Sequence, residues 1–218
     1  MILIIQIINP ENDELTRLIR KGKRLFTKSL VSNKNEFWNP VHSKLSALLL
    51  LDNSFRLGFY HEILYLGGGH GTTVRHLSDL YPDTKISVIE FGITIDKIFT
   101  LIEGRKRIIP IMEDARHPER YSHLISQTGV EMLYQDIAQR DQVDMFMKNL
   151  RFLSRGGLFI FMLKTKSIRQ DGSPRQLALD IQSYLESTGM SNEIHIVDLA
   201  PFQRSHYAFW GVINHSYI

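Results

Sequence analysis

The sequence predicts an α/β protein: a doubly wound, mainly parallel β-sheet with helices on both faces, ending in an antiparallel hairpin and preceded by a small β-rich N-terminal piece. Three observations carry this. From residue 37 onward, apolar runs of strand length alternate with helix-like segments, the pattern of a parallel sheet wound by crossover helices. The last two runs, "EIHIVDL" and "HYAFWGVIN", are joined only by "APFQRS"; a parallel crossover needs about a dozen residues or more, so these two must pair antiparallel. Before residue 37, "ILIIQII" is continuously apolar and "RLFTKSLV" alternates loosely, which reads as β-structure. The chain therefore divides into a small N-terminal β-rich subdomain, 1–36, and a main domain, 37–218.

The elements follow in order. In "FWNPVHSKLSALLLLD" Asn39 can cap a helix and Pro40 suits its first turn, which puts Lys44 near the helix start. Then come "EILYLGGGHG" (strand and turn), "TTVRHLSDLY" (helix), "KISVIEFG" (strand), "ITIDKIFTLIEGR" (helix) and "RIIPIMEDAR" (strand and loop). "VEMLYQDIAQ" (strand), "RDQVDMFMKNLRFLSRGG" (helix), "LFIFMLKTKS" (strand) and "PRQLALDIQSYLEST" (helix) lead into the hairpin. With 218 residues, 43% of them hydrophobic, the chain can bury a sizeable core.

Composition excludes several chemistries. There is no cysteine, hence no disulfide, thiolate metal site or cysteine nucleophile. The nine histidines show no metal-ligand spacing; His70 and His76, six apart, fall on different faces of a helix, so no metal is expected. No apolar run reaches the roughly 20 residues of a membrane span, and "MILIIQIINP" lacks a basic leader, so a soluble intracellular protein without membrane partner is expected. Net charge is only +3, but "RLIRKGKRLFTKSL", "EGRKRIIP" and "KTKSIR" concentrate the cations. Each suits an anionic polymer or is solvated loop charge.

Between a strand and a helix stands G-x-G-x-G, formed by Gly67, Gly69 and Gly71 with Gly68 between them. Glycines there permit a sharp turn and close backbone approach to a ligand, and the following helix offers free N–H groups. Glu90, about twenty residues on at the end of the next strand, is placed to accept from ribose hydroxyls. A dinucleotide fingerprint would continue G-x-G-x-x-G, whereas Thr72 occupies that last place. The spacing thus favours S-adenosylmethionine over a nicotinamide cofactor, as does the closing hairpin, which class I methyltransferases have. A second acid, Asp114 in "MEDARHP", ends the third strand, where a carboxylate can accept from an adenine amino group and the Ala115 N–H can serve a ring nitrogen; a loop cap is the alternative. Lys44, Asp136, Lys164 and His206 stand where apolar patterns stop. Asp136 and Lys164 each end a strand, the edge where open α/β sheets hold their sites, and the cost of burying a lysine makes Asp136 the expected partner of Lys164.

With these residues assembled, the chain resembles the fibrillarin family of RNA 2′-O-methyltransferases, most of all its archaeal members. The resemblance runs from about Leu25 to the end through "FTKSLV", "WNPVHSKLSALLL", "LYLGGGHGTTVRHLSD", "VIEFG", "IIPIMEDARHP", "YQDIAQRDQ", "LSRGGLFIFMLKTKSI" and "HYAFWGVI". It implies a class I, Rossmann-like methyltransferase fold and a cofactor site with Thr72 and Thr73 beside the glycines, Glu90 and Phe91, Asp114 and Ala115, and Asp136, Ile137, Ala138 and Gln139. It also implies a catalytic constellation of Lys44, Asp136, Lys164 and His206, with Lys164 as general base. The implied activity is S-adenosylmethionine-dependent, guide-RNA-directed ribose methylation of rRNA, tRNA or both within a box C/D ribonucleoprotein. The implied partners are the guide and target RNAs, a Nop-domain scaffold protein and, indirectly, a kink-turn-binding protein; the location is the cytoplasm of an archaeon or the nucleolus of a eukaryote. A non-catalytic subunit of the same particle and a protein glutamine methyltransferase are the alternatives. The chain departs from the family in three places: His70 stands where the family keeps a small residue, Ala200, Gln203 and Ser205 replace the acids that usually precede His206, and the segment between "SLV" and "WNP" is short, which implies a trimmed N-terminal β piece.

Overall fold

The computed structural model describes residues 2–4, 17–92, 94–214 and 216–217, with side chains from residue 17 onward. Four short strands, β1 (Ile2–Ile4), β2 (Leu18–Lys21), β3 (Arg24–Lys28) and β4 (Asn35–Trp38), form an antiparallel sheet in the order 1-2-3-4. The rest of "ILIIQII" lies outside the described residues. Gly22, at φ +58°, supplies the left-handed backbone that a tight hairpin between β2 and β3 requires. β4 runs to Trp38, across the 36/37 boundary read from sequence.

The main sheet has seven strands in the order β10-β11-β9-β8-β5-β6-β7. They are β5 (Glu62–Leu66), β6 (Lys85–Ile89), β7 (Ile108–Ile111), β8 (Val130–Gln135), β9 (Leu153–Lys164), β10 (His195–Asp198) and β11 (His206–Val212). β5 to β9 are parallel, and the terminal hairpin is antiparallel as expected, with β11 inserted between β10 and β9. The helices are α1 (Lys44–Leu51), α2 (Thr72–Leu80), α3 (Ile95–Ile102), α4 (Gln142–Asn149), α5 (Thr165–Ile168) and α6 (Pro174–Ser187). The chain winds outward from β5 through β6 to β7, then returns to β8 on the other side of β5. The reversal of winding lies between β5 and β8, where ligands of open α/β sheets bind.

Three local expectations are corrected. Ser43, not Asn39, caps α1: its side chain accepts from the Ser46 N–H, while Asn39 caps a tight turn by accepting from the Val41 N–H at 2.9 Å. "LSRGG" belongs to β9 rather than to the preceding helix, because Leu153 pairs with Val130 across an irregular register that lets the strand start early. The strand ends at Lys164, and "TKSI" turns into the single-turn α5.

One hydrophobic cluster contains Leu18, Leu25 and Trp38 of the small sheet together with Leu45, Leu48, Val74 and Leu77 of α1 and α2. Polar bonds lock the seam. Thr27 Oγ1 and His76 Nδ1 are 2.7 Å apart, and Trp38 stacks on the His76 ring at 5.0 Å. Buried Asp79 accepts from the Leu30 N–H and pairs with Arg105, both at 2.9 Å. His76 is fully buried, and burial with the charges of Arg75 and Arg105 pushes its pKa down to about 3.

Candidate active site

The carboxyl ends of β5, β6, β7 and β8 surround a cleft of about 240 Å³. Backbone bonds across neighbouring strands hold its rim: the Gly67 N–H donates to Ile89 O, Glu90 N–H to Ile111 O and Asp136 N–H to Leu66 O. Gly67, at φ +86°, passes so close to the next loop that a Cβ would stand 2.6 Å from Asp136 O. Gly69, at φ +51°, faces open space, and its N–H donates to Glu90 Oε2 at 2.6 Å. The other Glu90 oxygen accepts from the Phe91 N–H and the Thr94 hydroxyl. The carboxylate is therefore aimed across the turn before any ligand contact is made.

Gly67, Gly69, Glu90, Phe91, Asp114, Ala115, Asp136, Ile137, Ala138 and Gln139 all line this cleft. Gly71, Thr72 and Thr73 do not. Gly71, at φ +75°, sits where a Cβ would overlap the Leu101 side chain, so its role is packing against α3. Buried Thr73 places its hydroxyl 2.9 Å from that of Ser43, joining the starts of α1 and α2, and half-buried Thr72 opens α2. His70 is exposed and lies outside the cleft lining.

The reading from sequence missed four lining residues, Ile89, Glu113, Arg116 and Met145. Arg116 binds Asp141 at 2.6 Å and Asp114 at 3.1 Å, tying the loop after β7 to the start of α4; its hydrogen bond holds the Asp141 carboxyl below the usual range. Adjacency of Arg116 to Asp114 in "EDARHP" was the available signal. The open backbone at Gly69, the Glu90 carboxylate, exposed Phe91 and the acid at Asp114 fit an adenosyl cofactor: a planar ring face, two acids and a turn without side chains that a ligand can approach closely.

Four ionisable side chains meet at one end of this cleft. Lys44, the first residue of α1, donates to both oxygens of Asp136, at 2.7 and 3.0 Å, each side chain being 18% exposed. The expected Lys164–Asp136 pair is thus corrected. α1 delivers Lys44 to the carboxylate first, and Lys164 has no carboxylate within 4.0 Å among the described residues. Lys164 and His206 are direct register partners on β9 and β11. Burial and then the Lys44 charge lower the His206 pKa, with Asp136 opposing and Lys164 adding to the shift. His206 Nδ1 is 2.8 Å from Arg204 O, which makes Nδ1 the donor and leaves Nε2 as the acceptor.

The backbone around Lys164 is held by a residue absent from the sequence-based site. Fully buried Gln142 accepts from the Lys164 N–H at 2.9 Å and donates to Lys164 O at 3.1 Å and Gln139 O at 2.7 Å. Its side-chain amide stands in for a strand partner where β8 has already turned away. Ser205, in the left-handed region at φ +60°, turns its carbonyl to the Thr165 N–H and hydroxyl, fixing the backbone before His206. Gln203 donates to Pro40 O and Val41 O, binding the hairpin loop to the segment that leads to Lys44. Two of the three residues that replace acids before His206 therefore have structural tasks. Beneath the cluster, Tyr65 and Tyr134 pack ring against ring at 4.6 Å, and burial, with the Asp136 charge adding to it, keeps both phenols protonated.

A doubly wound sheet with an antiparallel closing hairpin and this cleft at its winding reversal defines a class I methyltransferase. The sequence profile of the fibrillarin family matches residues 2–215. A Methanococcus voltae relative, a fibrillarin-like rRNA/tRNA 2′-O-methyltransferase, is 31% identical over 207 residues, covering 91% of this chain and 89% of that protein. The chain belongs to the fibrillarin family. Among solved structures, a fibrillarin from a fibrillarin/Nop5p complex matches with TM-score 0.78 and 29% identity, over 91% of this chain and 98% of that one. The fibrillarin of Aeropyrum pernix, in complex with natively bound S-adenosyl-L-methionine, matches with TM-score 0.74 and 31% identity, over 89% and 93% of the two chains.

Proposed function

We propose that this chain is an S-adenosylmethionine-dependent RNA ribose 2′-O-methyltransferase, the catalytic subunit of a guide-RNA-directed box C/D particle acting on rRNA, tRNA or both. The observation that carries the reading is the meeting of Lys44, Asp136, Lys164 and His206 beside a cleft with the lining an adenosyl cofactor needs. The names of the relatives support it, and the Nop5p complex of a related chain supports a Nop-domain partner. The guide RNA and a kink-turn-binding protein are further partners in this reading.

S-adenosylmethionine, when bound, supplies a methyl group on a sulfonium sulfur that departs as a neutral thioether. Glu90 takes the ribose hydroxyls of such a ligand, Phe91 offers its exposed ring face, and Asp114 with the Ala115 N–H reads the adenine edge. At the catalytic end Asp136 fixes the Lys44 side chain through both carboxylate oxygens, so that Lys44 holds the target nucleotide by its phosphate and ribose oxygens. Lys164, left without a carboxylate, accepts the 2′-hydroxyl proton in its amine form as the hydroxyl oxygen bonds to the methyl carbon. His206 Nε2, an acceptor on the register partner of Lys164, takes a hydrogen bond from the Lys164 amine and so orients the base toward the hydroxyl. Positioning supplies much of the acceleration, and the base about 10²–10⁴-fold.

The test is methyl transfer to a guided RNA duplex reconstituted with the Nop-domain and kink-turn proteins. The wild-type particle is expected to methylate one ribose, and Lys164→Ala to abolish turnover while calorimetry still shows S-adenosylmethionine binding. Absence of product with the wild-type particle overturns the reading; near-normal turnover in Lys164→Ala overturns the base assignment alone.

A further inference from the structure

The basic N-terminal segment is not used by the catalytic site, and the small sheet gives it a specific form. Antiparallel register places Ile19, Lys21, Arg24, Phe26, Lys28, Asn35 and Phe37 on one face of β2, β3 and β4, since directly opposed residues share a face. Leu18, Leu25, Thr27 and Trp38 are buried on the other face, where Glu36 also points and pairs with Arg75 of α2. The first face is turned away from the main domain. Among the described residues it carries three cations and no carboxylate.

Its centre is a pair of aromatic rings. Phe26 and Phe37 are register partners with ring centroids 5.6 Å apart, and Phe37 is 44% exposed. Lys21 Nζ lies 5.6 Å above the Phe26 ring, and Lys21, Arg24 and Lys28 are all exposed. Arg24 and Lys28 flank Phe26 by two residues on either side along β3, about 7 Å each way. Phe37 is exposed and Phe26 half-buried beside it, and neither belongs to the hydrophobic cluster beneath the sheet. Rings that stack unpaired bases, flanked by cations that hold the phosphates between them, form the sheet surface by which single-stranded RNA is bound.

We propose that this face is a single-stranded RNA platform, with Phe26 and Phe37 stacking two successive bases and Lys21, Arg24 and Lys28 holding the flanking phosphates. The proposal deepens the reading of the chain as an RNA-acting enzyme. The chain passes from Trp38 in β4 to Lys44 in six residue steps, which limits their separation to roughly 20 Å. An RNA strand leaving the catalytic edge meets the platform within a few nucleotides. A duplex, whose bases are already stacked, gains only the phosphate contacts.

The experiment measures fluorescence anisotropy of a labelled ten-nucleotide oligouridylate, and of a duplex of equal length, with the whole chain alone, over a range of salt concentrations. Single strand is expected to bind more tightly than duplex. The Phe26→Leu/Phe37→Leu variant should lose at least about fivefold in affinity per ring with an unchanged salt slope, and Phe26→Tyr/Phe37→Tyr should keep wild-type binding. Lys21→Ala/Arg24→Ala/Lys28→Ala should flatten the logarithmic salt slope by about 2. Binding of the leucine and alanine variants equal to wild type overturns the platform, as does loss of Nop-domain-protein binding in those variants with RNA binding intact. Melting temperatures of the variants control for folding; should the leucine variant unfold, the tyrosine and alanine variants still decide. The readout needs no cofactor, guide or turnover, so failure of the platform and failure of the methyltransferase reading are separable.

Discussion

Lys44 Nζ lies 2.7 Å from Asp136 Oδ1 and 3.0 Å from Oδ2, an ion pair closed across ninety-two residues of chain. It joins the first residue of α1 to the loop after β8, and it leaves Lys164 with no carboxylate within 4.0 Å among the described residues.

Breaking the pair from the lysine side leaves a largely desolvated carboxylate unpaired. Lys44→Met is expected to cost about 1–3 kcal/mol of stability and to abolish methyl transfer. The double variant Lys44→Met/Asp136→Asn should recover most of the lost stability but no activity. Thermal melting with a single-turnover assay checks this; additive stability losses would show that the two groups do not interact.

The glycine turn divides by task. Gly69→Ala projects a methyl group into the cleft and is expected to weaken S-adenosylmethionine binding, with a stability cost near 1 kcal/mol from the left-handed backbone. Gly71→Ala forces Leu101 aside and should cost more stability while cofactor affinity, measured on the folded fraction, changes little. His70→Ala, an exposed position outside the cleft, should leave cofactor affinity within twofold. Calorimetry on the three variants separates floor from packing.

Gln142 couples the cofactor loop to the base. Gln142→Met removes three side-chain hydrogen bonds and is expected to cost about 3 kcal/mol; Gln142→Glu keeps only the bond from the Lys164 N–H. In the folded fraction of Gln142→Met, turnover should fall more than cofactor affinity, because Lys164 loses both backbone tethers and Gln139 only one, and Gln142→Glu, which spares one Lys164 tether, should lose less turnover. An unchanged turnover number would remove Gln142 from the catalytic architecture.

His76 makes stability depend on pH. Its folded pKa of about 3 lies below the ordinary 6.5, so the unfolded chain takes up a proton that the native state refuses. Its contribution is intact above pH 6.5 and is lost at about 1.4 kcal/mol per unit as pH falls from 6.5 toward 3. Denaturant unfolding at pH 7 and at pH 4.5 should show this difference shrink in His76→Phe, relative to wild type; an equal decline in both chains would contradict the assignment.

Alternation of strands and helices was legible from residue 37 onward because apolar runs and their spacing are local properties, and the closing hairpin followed from a loop too short for a crossover. The turn at Gly67–Gly71 and the acids at Glu90 and Asp114 were legible for the same reason. The glycines were not legible as individuals: that Gly69 faces the cleft and Gly71 faces Leu101 depends on where α3 packs.

Pattern alone therefore settled the fold class, the placement of the site at the strand ends and the residue types that could serve there. Packing settled the partnerships. Asp136 pairs with Lys44 rather than Lys164, Gln142 holds Lys164, Arg116 bridges two loops, and Phe26 and Phe37 emerge side by side on an outer face. Each joins segments between eleven and ninety-two residues apart, and short-range periodicity carries no information about which distant side chain reaches a buried charge or a neighbouring strand first.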